Sequence, residues 1–394
     1  MKQDSQSNVV NIKKSSSILS VIVFLLLVIA ISIVAFTAYL KNADYDFSSF
    51  SIEDAIAFVK SNENAVSSSA SEISFSQDGS TVCKLYKNYT IVLSKDGIKW
   101  YNKSGKIIQE SALTLTRPIL RISDKYMTVA DISGRSIYFY KDKKLLWTRE
   151  LSNQIINADV SDDGYCTVVT QSKEYKSEVQ VIDVNGVGKY TKIYADDIVL
   201  SAKAIHDGQD VLINKVITNN VKTGSQLEFN NIYEEKPFAT INVAGSILPI
   251  VMSYGDNELA VGQNVIIFVD KQGKEVWRKN ADSIFCIAQN SEKNVIISGK
   301  FTSSTGVTSQ KIVVLDTEGK EIYSFEQPEN IAGMYLYGDK LALKTQKSVY
   351  LYTIKGEKLG QYSTINEIKD AFLISGNEAI IISGGKISLV EIQG

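Results

Sequence analysis

Hydrophobic positions follow two different patterns along this chain of 394 residues. Residues 18–36 form an apolar segment without a charge, and no charged residue occurs between Lys14 and Lys41. From Thr81 onward the apolar residues occur in short, often alternating stretches that are separated by turns with glycine or charged residues. A long apolar run predicts a membrane-spanning helix, whereas short alternating stretches predict β-strands.

The first pattern predicts a transmembrane helix at 17–40. A helix needs about 20 apolar residues to cross a bilayer, and lipid favours helix even for β-branched residues because the backbone must bond within itself. A cleaved signal peptide is the alternative. Its hydrophobic region is usually shorter, about 7–15 residues, and ends at a small-x-small site. Ala35-Phe36-Thr37 fits such a site poorly, so we expect an uncleaved anchor.

The charges on the two sides of this segment predict its orientation. Positive residues favour the cytoplasmic side of a membrane helix. Residues 1–16 are therefore expected in the cytoplasm, and the long C-terminal part outside, as a single-pass protein of the cell membrane. The charges before the segment are Lys2, Lys13 and Lys14 against Asp4, and those after it are Lys41, Asp44, Asp46, Glu53 and Asp54.

Residues 41–71 differ in composition from the repeats after them and are predicted to be a linker. Ser51-Ile52-Glu53-Asp54 resembles a helix capping box, and the next apolar residues have helical spacing. We expect a short amphipathic helix near 52–62, either packed as a stalk or binding a partner. A tether of small residues at 65–71 then leads to a domain at 72–394.

The alternating part of the chain repeats a unit of four strands. The junction between the third and fourth strands is its clearest part, because a glycine that accepts positive φ stands between two apolar stretches. Copies recur about every 40 residues, the size of a propeller blade. They lie at 98–108, 137–147, 266–277, 313–323 and 349–359, with weaker ones at 181–186 and 229–238.

These repeats predict an all-β propeller of about eight blades. The eighth unit begins at Asp370 and ends one strand short, and residues 72–76 supply a strand that closes the ring. Seven blades remain the alternative if 199–245 merges with a neighbour. The other blades are expected near 81–113, 118–152, 156–195, 199–245, 248–281, 284–327 and 331–364.

Two of the junctions resemble the repeat of quinoprotein-like propellers (PQQ-like, BamB-type and WD40-like). They are Asp270-x-x-Gly273-Lys274-x-x-Trp277 and Asp316-x-x-Gly319-Lys320-x-x-Tyr323. The resemblance implies that the aspartate ends the third strand and that a fourth-strand tryptophan, here Trp277 or Trp147, docks between blades. The turn is one residue shorter than the family form. The whole chain also resembles membrane-anchored propellers of low-GC Gram-positive bacteria, which implies a fold rather than a function.

Few residues suit catalysis or metal binding. His206 is the only histidine and lies in Ile205-His206-Asp207-Gly208, which predicts a turn with a structural role rather than a catalytic triad. Cys83, Cys166 and Cys286 are far apart in apolar stretches and are expected to be buried free thiols, although a pair brought together by the fold is the alternative. We predict no catalytic, cofactor or metal residues, and no enzyme activity.

Two weaker chemical interpretations are open. The turns at 77–80 and 159–164 are rich in aspartate, which suits either a tight hairpin or calcium. The resemblance also allows a quinone-dependent enzyme, but adjacent cysteines are missing. The three tryptophans, Trp100, Trp147 and Trp277, fall on third or fourth strands, away from the axis of a propeller.

The sequence favours a binding or scaffolding module at the cell envelope. A net charge of -2 gives no basic field for nucleic acid. The long insertions at 171–178, 218–226 and 301–310 all join second and third strands, so they should share one rim and contact a protein or envelope partner. The alternatives are a receptor for a small exported ligand in the central funnel or an enzyme. Convergent carboxylates in the funnel would favour those alternatives.

Overall fold

The computed structural model describes residues 73–74, 80–219, 222–290, 293–303, 305–326 and 330–392. All regular elements in these residues are β-strands, β1 to β32. None of the described residues forms a helix that would be long and apolar enough for a membrane span. The predicted transmembrane helix at 17–40 and the linker helix near 52–62 lie outside the described residues, so both stay predictions.

The strands are grouped in blades along the chain. The first strand is β1 (Ile73–Ser74). Blade 1 is β2 (Val82–Tyr86), β3 (Tyr89–Ser94), β4 (Gly97–Tyr101) and β5 (Ile107–Ala112). Blade 2 is β6 (Pro118–Ile122), β7 (Tyr126–Asp131), β8 (Ser136–Lys141) and β9 (Lys144–Glu150). Blade 3 is β10 (Gln154–Val160), β11 (Cys166–Gln171), β12 (Ser177–Ile182) and β13 (Gly188–Tyr194). Blade 4 is β14 (Ile198–Ile205), β15 (Asp210–Asn219), β16 (Lys222–Asn231) and β17 (Ala239–Ala244).

The second half of the domain continues in the same way. Blade 5 is β18 (Ile250–Tyr254), β19 (Asn257–Val261), β20 (Val265–Val269) and β21 (Glu275–Asn280). Blade 6 is β22 (Ser283–Gln289), β23 (Val295–Thr302), β24 (Thr308–Leu315) and β25 (Glu321–Glu326). Blade 7 is β26 (Gly333–Tyr337), β27 (Lys340–Lys344), β28 (Ser348–Thr353) and β29 (Lys358–Ser363). Blade 8 holds β30 (Ile368–Leu373), β31 (Glu378–Ser383) and β32 (Lys386–Glu391).

Each blade is a four-stranded antiparallel sheet, and the ring closes between the two ends of the domain. Blade 8 has the order β1-β32-β31-β30, and β1 pairs with β32 through Ile73 with Ile387 and Ser74 with Lys386. This confirms the predicted closing strand. The count is eight rather than seven, because β14 to β17 form a complete sheet of their own.

The hydrophobic core consists of eight clusters, and each lies between two neighbouring blades. In β3, Ile91 and Leu93 face blade 2, whereas Val92 between them faces blade 8. The inner strands are therefore buried on both faces, which explains why β20 consists entirely of apolar residues.

The turns between third and fourth strands have the chemistry that the repeat implies. Gly273 and Gly319 have φ of 75° and 76°. Asp270 directly follows β20, the third strand of blade 5, and its Oδ1 accepts hydrogen bonds from the amides of Gln272 and Lys274 at 3.0 and 2.9 Å. The aspartate thus satisfies turn amides that no strand partner reaches.

The fourth-strand tryptophans dock on the next blade, as the resemblance implies. Trp147 of blade 2 stacks on Phe139 with ring centroids 4.9 Å apart and covers Gly186 in the turn of blade 3. Trp277 of blade 5 covers Gly319 of blade 6 and donates from Nε1 to the Thr317 carbonyl at 3.1 Å. Both contacts fix a blade against its neighbour near the outer edge of the ring.

The cysteines are unpaired thiols, which excludes the disulfide alternative. Cys83 and Cys166 are buried as predicted, and burial raises the pKa of each thiol to about 12. Cys286 is only partly buried, and burial raises its pKa to about 11. These thiols stay protonated at neutral pH and pack as apolar groups.

Candidate functional site

A cavity of about 750 Å³ opens at one end of the central channel. Its wall is formed by the ends of the first strands of blades 1 to 6 and by the turns that lead to the second strands. Blades 1 to 5 each contribute at least one residue to this wall, for example Tyr86, Ser123, Asp163, His206 and Asp256 in that order. We call this opening the funnel mouth. Antiparallel order puts every first-to-second turn at this same end of the ring.

The funnel mouth is strongly acidic. Lys87 is one of only two lysines in its lining and pairs with Asp142, which is not part of the lining. Lys203 is the other lysine, and it has no ion-pair partner within the described part of the chain. Seven carboxylates from four blades line the same cavity: Asp124, Asp159, Asp162, Asp163, Asp207, Asp256 and Glu258.

Several of these carboxylates repel one another. Burial and the neighbouring Asp207 and Asp162 raise the pKa of Asp163, and burial together with Asp162 raises the pKa of Asp124. Asp162 is oriented by the Asp124 amide, which donates to its Oδ1 at 2.7 Å. Because the protein places like charges together at the rim, a bound positive group would relieve the repulsion.

Glu258 is the most buried carboxylate of the wall, with 4% of its surface exposed. It lies on β19, and its Oε1 accepts a hydrogen bond from the Ser253 hydroxyl at 3.1 Å. Its Oε2 has no hydrogen-bond partner among the described residues. Burial raises the pKa of Glu258 to about 7, while the positive charge of Lys203 and the Ser253 hydrogen bond act against that shift.

Asp159 stands nearby on β10, and burial raises the pKa of its carboxyl. Lys203 and Arg121 oppose this shift by their charge. Arg121 itself is held by the Ala158 carbonyl at 3.1 Å and by Asn157 Oδ1 at 3.2 Å. The charge of Lys203 thus acts on both Asp159 and Glu258, and the lining of the funnel mouth keeps an excess of negative charge.

His206 lies in the turn between β14 and β15, as predicted, with φ of 50°. Its Nδ1 is 2.7 Å from Asp210 Oδ2 and its Nε2 is 3.4 Å from the Asp256 carbonyl oxygen. Neither neighbour is a serine hydroxyl, so these contacts do not assemble a Ser-His-Asp triad. His206 also lines the funnel mouth, a placement that the sequence did not reveal.

The aspartate-rich turn at 159–164 contributes three carboxylates to the funnel mouth. The other such turn, 77–80, falls almost wholly outside the described residues. No group of three His, Cys, Asp or Glu side chains stands close enough to hold a metal ion in the part of the chain that the structure covers. The turn therefore adds negative charge to the wall of the funnel mouth.

The three long insertions all join second and third strands, which confirms their predicted position. They lie on the rim opposite the funnel mouth, because second-to-third turns point the other way in an antiparallel blade. Two of them are extended hairpins rather than loops. β15 and β16 pair out to Asn219 with Lys222, and β23 and β24 pair out to Thr302 with Thr308. Alternating β-branched and polar residues there continue the strand pattern.

The carboxylates of the funnel were missed because each looks ordinary in the sequence. Two of the four turns have the common sequences Asp-Asp-Gly and Asp-Gly, the other two hold a single aspartate, and only the ring brings the four turns together. The tryptophans lie on third and fourth strands, as predicted. The convergent carboxylates meet the condition that favours the two funnel alternatives, a receptor for a small ligand or an enzyme, over binding at the rim of the insertions.

Solved propeller structures have the same fold at low sequence identity. BamB from Moraxella catarrhalis is 13% identical, with a TM-score of 0.51, and the match covers 82% of this chain and 98% of that one. The C-terminal WD40 domain of Sif2 is 12% identical, with a TM-score of 0.57 over 79% of this chain and 94% of the domain. Sqt1 of Chaetomium thermophilum, bound to the N-terminus of ribosomal protein L10, is 11% identical, with a TM-score of 0.52 and coverage of 78% and 94%.

A search of curated proteins found no match. A protein-family model matches residues 60–392, which include every described strand. Its description is "Family of unknown function (DUF5711)". Because the match spans well over half of the sequence, the chain belongs to this family, and its described domain is an eight-bladed β-propeller.

Proposed function

We propose that this protein is a membrane-anchored, extracytoplasmic propeller that binds a protein partner through a basic segment seated over the funnel mouth. The observation that carries the proposal is the charge of the mouth, where seven carboxylates face two lysines. Such a field attracts and orients a positively charged segment over several ångströms and makes its binding sensitive to salt.

The rigid ring suits this role. Turns from several blades meet at one opening, so a single extended segment contacts all of them without any rearrangement of the scaffold. One structural neighbour, the Sqt1 propeller, is bound to the N-terminus of ribosomal protein L10. For the present chain, binding of a protein segment is our proposal.

A place outside the cytoplasm is part of the same proposal. It rests on the apolar segment 17–40 and on the lysines that precede it. A tag at the C-terminus should be digested by protease added to intact, wall-stripped cells, whereas a tag at the N-terminus should survive until the cells are lysed. The reverse pattern would contradict this orientation.

A binding role is proposed in preference to catalysis. His206, the one histidine of the chain, contacts Asp210 and a carbonyl oxygen, and neither neighbour is the hydroxyl or thiol that a histidine base activates. The acidic side chains around it supply a negative field, which favours binding of positive groups.

The test is photo-crosslinking in intact cells, with the crosslinker placed at Ser123 on the wall of the funnel mouth. The full-length protein is compared with a variant that carries Asp162→Asn, Asp163→Asn and Asp207→Asn. A matched control shortens the hairpin of blade 4 on the opposite rim by replacing residues 218–223 with Asn-Gly. We expect a crosslinked peptide rich in lysine or arginine that is lost in the triple variant and kept in the control.

The opposite pattern would move the site to the hairpins. The absence of any discrete partner in all three proteins would contradict a protein-binding function. It would leave the second candidate, a small exported cation in the channel, which the cavity of about 750 Å³ is large enough to hold.

A further inference from the structure

We propose that Glu258 forms a subsite in the funnel wall for a primary alkylammonium group. The group is either the end of a lysine side chain or a small polyamine. In the first case the inference rests on the proposed function, since the lysine belongs to the basic segment of the partner.

The position of Glu258 carries this inference. Glu258 and Ala260 are two residues apart on β19 and therefore lie on the same face of the strand. Ala260 packs in the cluster between blades 4 and 5, so the side chain of Glu258 points toward blade 4. It lines the cavity, it is nearly fully buried, and its Oε2 has no hydrogen-bond partner within the described residues. A buried acceptor without a donor is costly, and a ligand that donates a hydrogen bond removes that cost.

The geometry favours an ammonium over a guanidinium group. Ser253 already donates to Oε1 at 3.1 Å, which leaves Oε1 one acceptor position, whereas both acceptor positions of Oε2 are open within the described residues. A guanidinium gains most from a carboxylate when both oxygens receive a parallel pair of hydrogen bonds. An ammonium is a compact charge that needs a single acceptor, and its remaining donors reach other oxygens of the wall.

A bare metal ion fits less well. No group of three His, Cys, Asp or Glu in the described chain is placed to coordinate one ion. A cavity of about 750 Å³ holds the alkyl chain of a lysine or polyamine behind its charged end. The apolar wall residues Leu85, Ile122 and Met252 give that chain a surface to pack on.

The surrounding charges predict how binding depends on pH. Glu258 is faced by Lys203 of β14, Asp159 of β10, His206 of the β14–β15 turn and Ser253 of β18. Its pKa near 7 means that the carboxyl holds a proton in mildly acidic solution, mainly because it is buried. An ammonium requires the ionised form, so binding below pH 7 releases that proton and weakens as the pH falls.

The experiment is isothermal titration calorimetry on the full-length protein in mild detergent. The probes are hexalysine, hexaarginine and spermidine, at low and at physiological salt. The variant is Glu258→Gln, which keeps the shape of the side chain and removes the charge. The matched control is Asp339→Asn, in a first-to-second turn of blade 7 outside the cavity lining. Glu258→Asp, with the charge kept on a shorter side chain, checks that any loss is not a failure to fold.

We expect Glu258→Gln to weaken hexalysine binding at least tenfold and hexaarginine binding less than threefold. Glu258→Asp should be intermediate, and Asp339→Asn unchanged. For the wild-type protein at pH 6, the heat measured in buffers of different ionisation enthalpy should report release of a proton, and this release should vanish in Glu258→Gln.

Other results separate the two proposals. Equal binding of hexalysine by wild type and Glu258→Gln, with loss in the triple mouth variant, would overturn the subsite and leave the proposed function standing. If Glu258→Gln weakened the binding of hexalysine and hexaarginine by the same factor, the preference for an ammonium group would be overturned. Binding of spermidine alone, dependent on Glu258, would support the subsite and contradict a protein partner. Binding of no probe by wild type would overturn both proposals.

Discussion

Glycine is required at Gly319 for two separate reasons. Its φ of 76° is unfavourable for any residue with a β-carbon, and a Cβ there would lie 2.6 Å from Trp277 Cδ2 of the preceding blade. Gly306 has a similar φ of 81°, but a Cβ there meets no atom within 4 Å. The two positions therefore separate backbone strain from the contact between blades.

Gly319→Ala should lower the free energy of unfolding by about 3 kcal/mol, because overpacking against Trp277 adds to the strain of positive φ. Gly306→Ala should lower the free energy of unfolding by only about 1 kcal/mol. Urea unfolding of the full-length protein in detergent, followed by tryptophan fluorescence, measures both. Equal losses in the two variants would mean that the tryptophan contact contributes nothing to stability.

The buried carboxyl of Glu258 should make the domain less stable as the pH rises. Its pKa is raised from 4.5 to about 7 by burial, so the folded state binds more protons than the unfolded state between these values. The contribution of Glu258 to the free energy of unfolding is fully present below pH 4.5 and is lost as the pH rises through 7. The shift corresponds to about 3 kcal/mol at 1.36 kcal/mol per pKa unit.

Glu258→Gln should remove this part of the pH dependence. We expect its free energy of unfolding, relative to wild type, to rise by about 3 kcal/mol between pH 4.5 and pH 8. Urea titrations at several pH values in that range measure the difference. A difference that does not change with pH would mean that Glu258 ionises as freely in the folded state as in the unfolded chain.

Among the elements, the short strand β1 closes the ring of blades. It contributes two residues, Ile73 and Ser74, yet it covers the edge of β32 and joins the start of the domain to blade 8. An open edge in a ring of blades exposes backbone donors and acceptors and leaves the last sheet with three strands. The closing strand thus stabilises blade 8 more than its own pairing alone would indicate.

Replacing residues 72–76 with glycine and serine of equal length should destabilise the domain by about 2 kcal/mol or more, since at least the ladder hydrogen bonds are weakened. The same replacement at 65–69, in the tether, is the control and should change little. Limited proteolysis and thermal unfolding measure the effect, and we expect the first cuts between β30 and β32. Equal behaviour of the two variants would show that closure does not depend on this strand.

At the scale of the whole molecule, the ring has no independent core within a blade. Every cluster is shared by two blades, so each blade is held from both sides. This sharing predicts that blades unfold together, in contrast to open solenoids, whose ends fray. The funnel keeps its shape for the same reason, because its wall is made from strands that six neighbouring blades support.

Ile267→Ala should test this cooperativity. Ile267 is fully buried between blades 4 and 5, and the cavity left by alanine should cost about 3 kcal/mol. We expect hydrogen exchange to speed up equally in blade 1, on a distant part of the ring, and in blade 5. Faster exchange confined to blades 4 and 5 would mean that blades open one by one.

The sequence by itself determined the strands and the length of their repeat, whereas the count of eight rather than seven blades came from the structure. Period-two alternation and the glycine turns at positions such as Gly273 and Gly319 are local signals, because a tight turn needs positive φ whatever surrounds it. The repeat length then implied the blade, and the incomplete last unit implied the closing strand. The burial of Cys83 and Cys166 followed from their apolar neighbours along the same strands.

Only the tertiary structure decided where the chemistry lies. Four turns that are distant in sequence supply aspartates to the funnel mouth, and each aspartate is an ordinary turn residue on its own. These aspartates are Asp124, Asp163, Asp207 and Asp256. Glu258 looks like any strand residue until the ring places it against blade 4, where no described residue bonds to its Oε2. Turn formation depends on a few neighbouring residues, whereas charge density and burial depend on which turns the closed ring brings together. The acidic funnel is therefore a property of the assembled propeller, and no single repeat contains it.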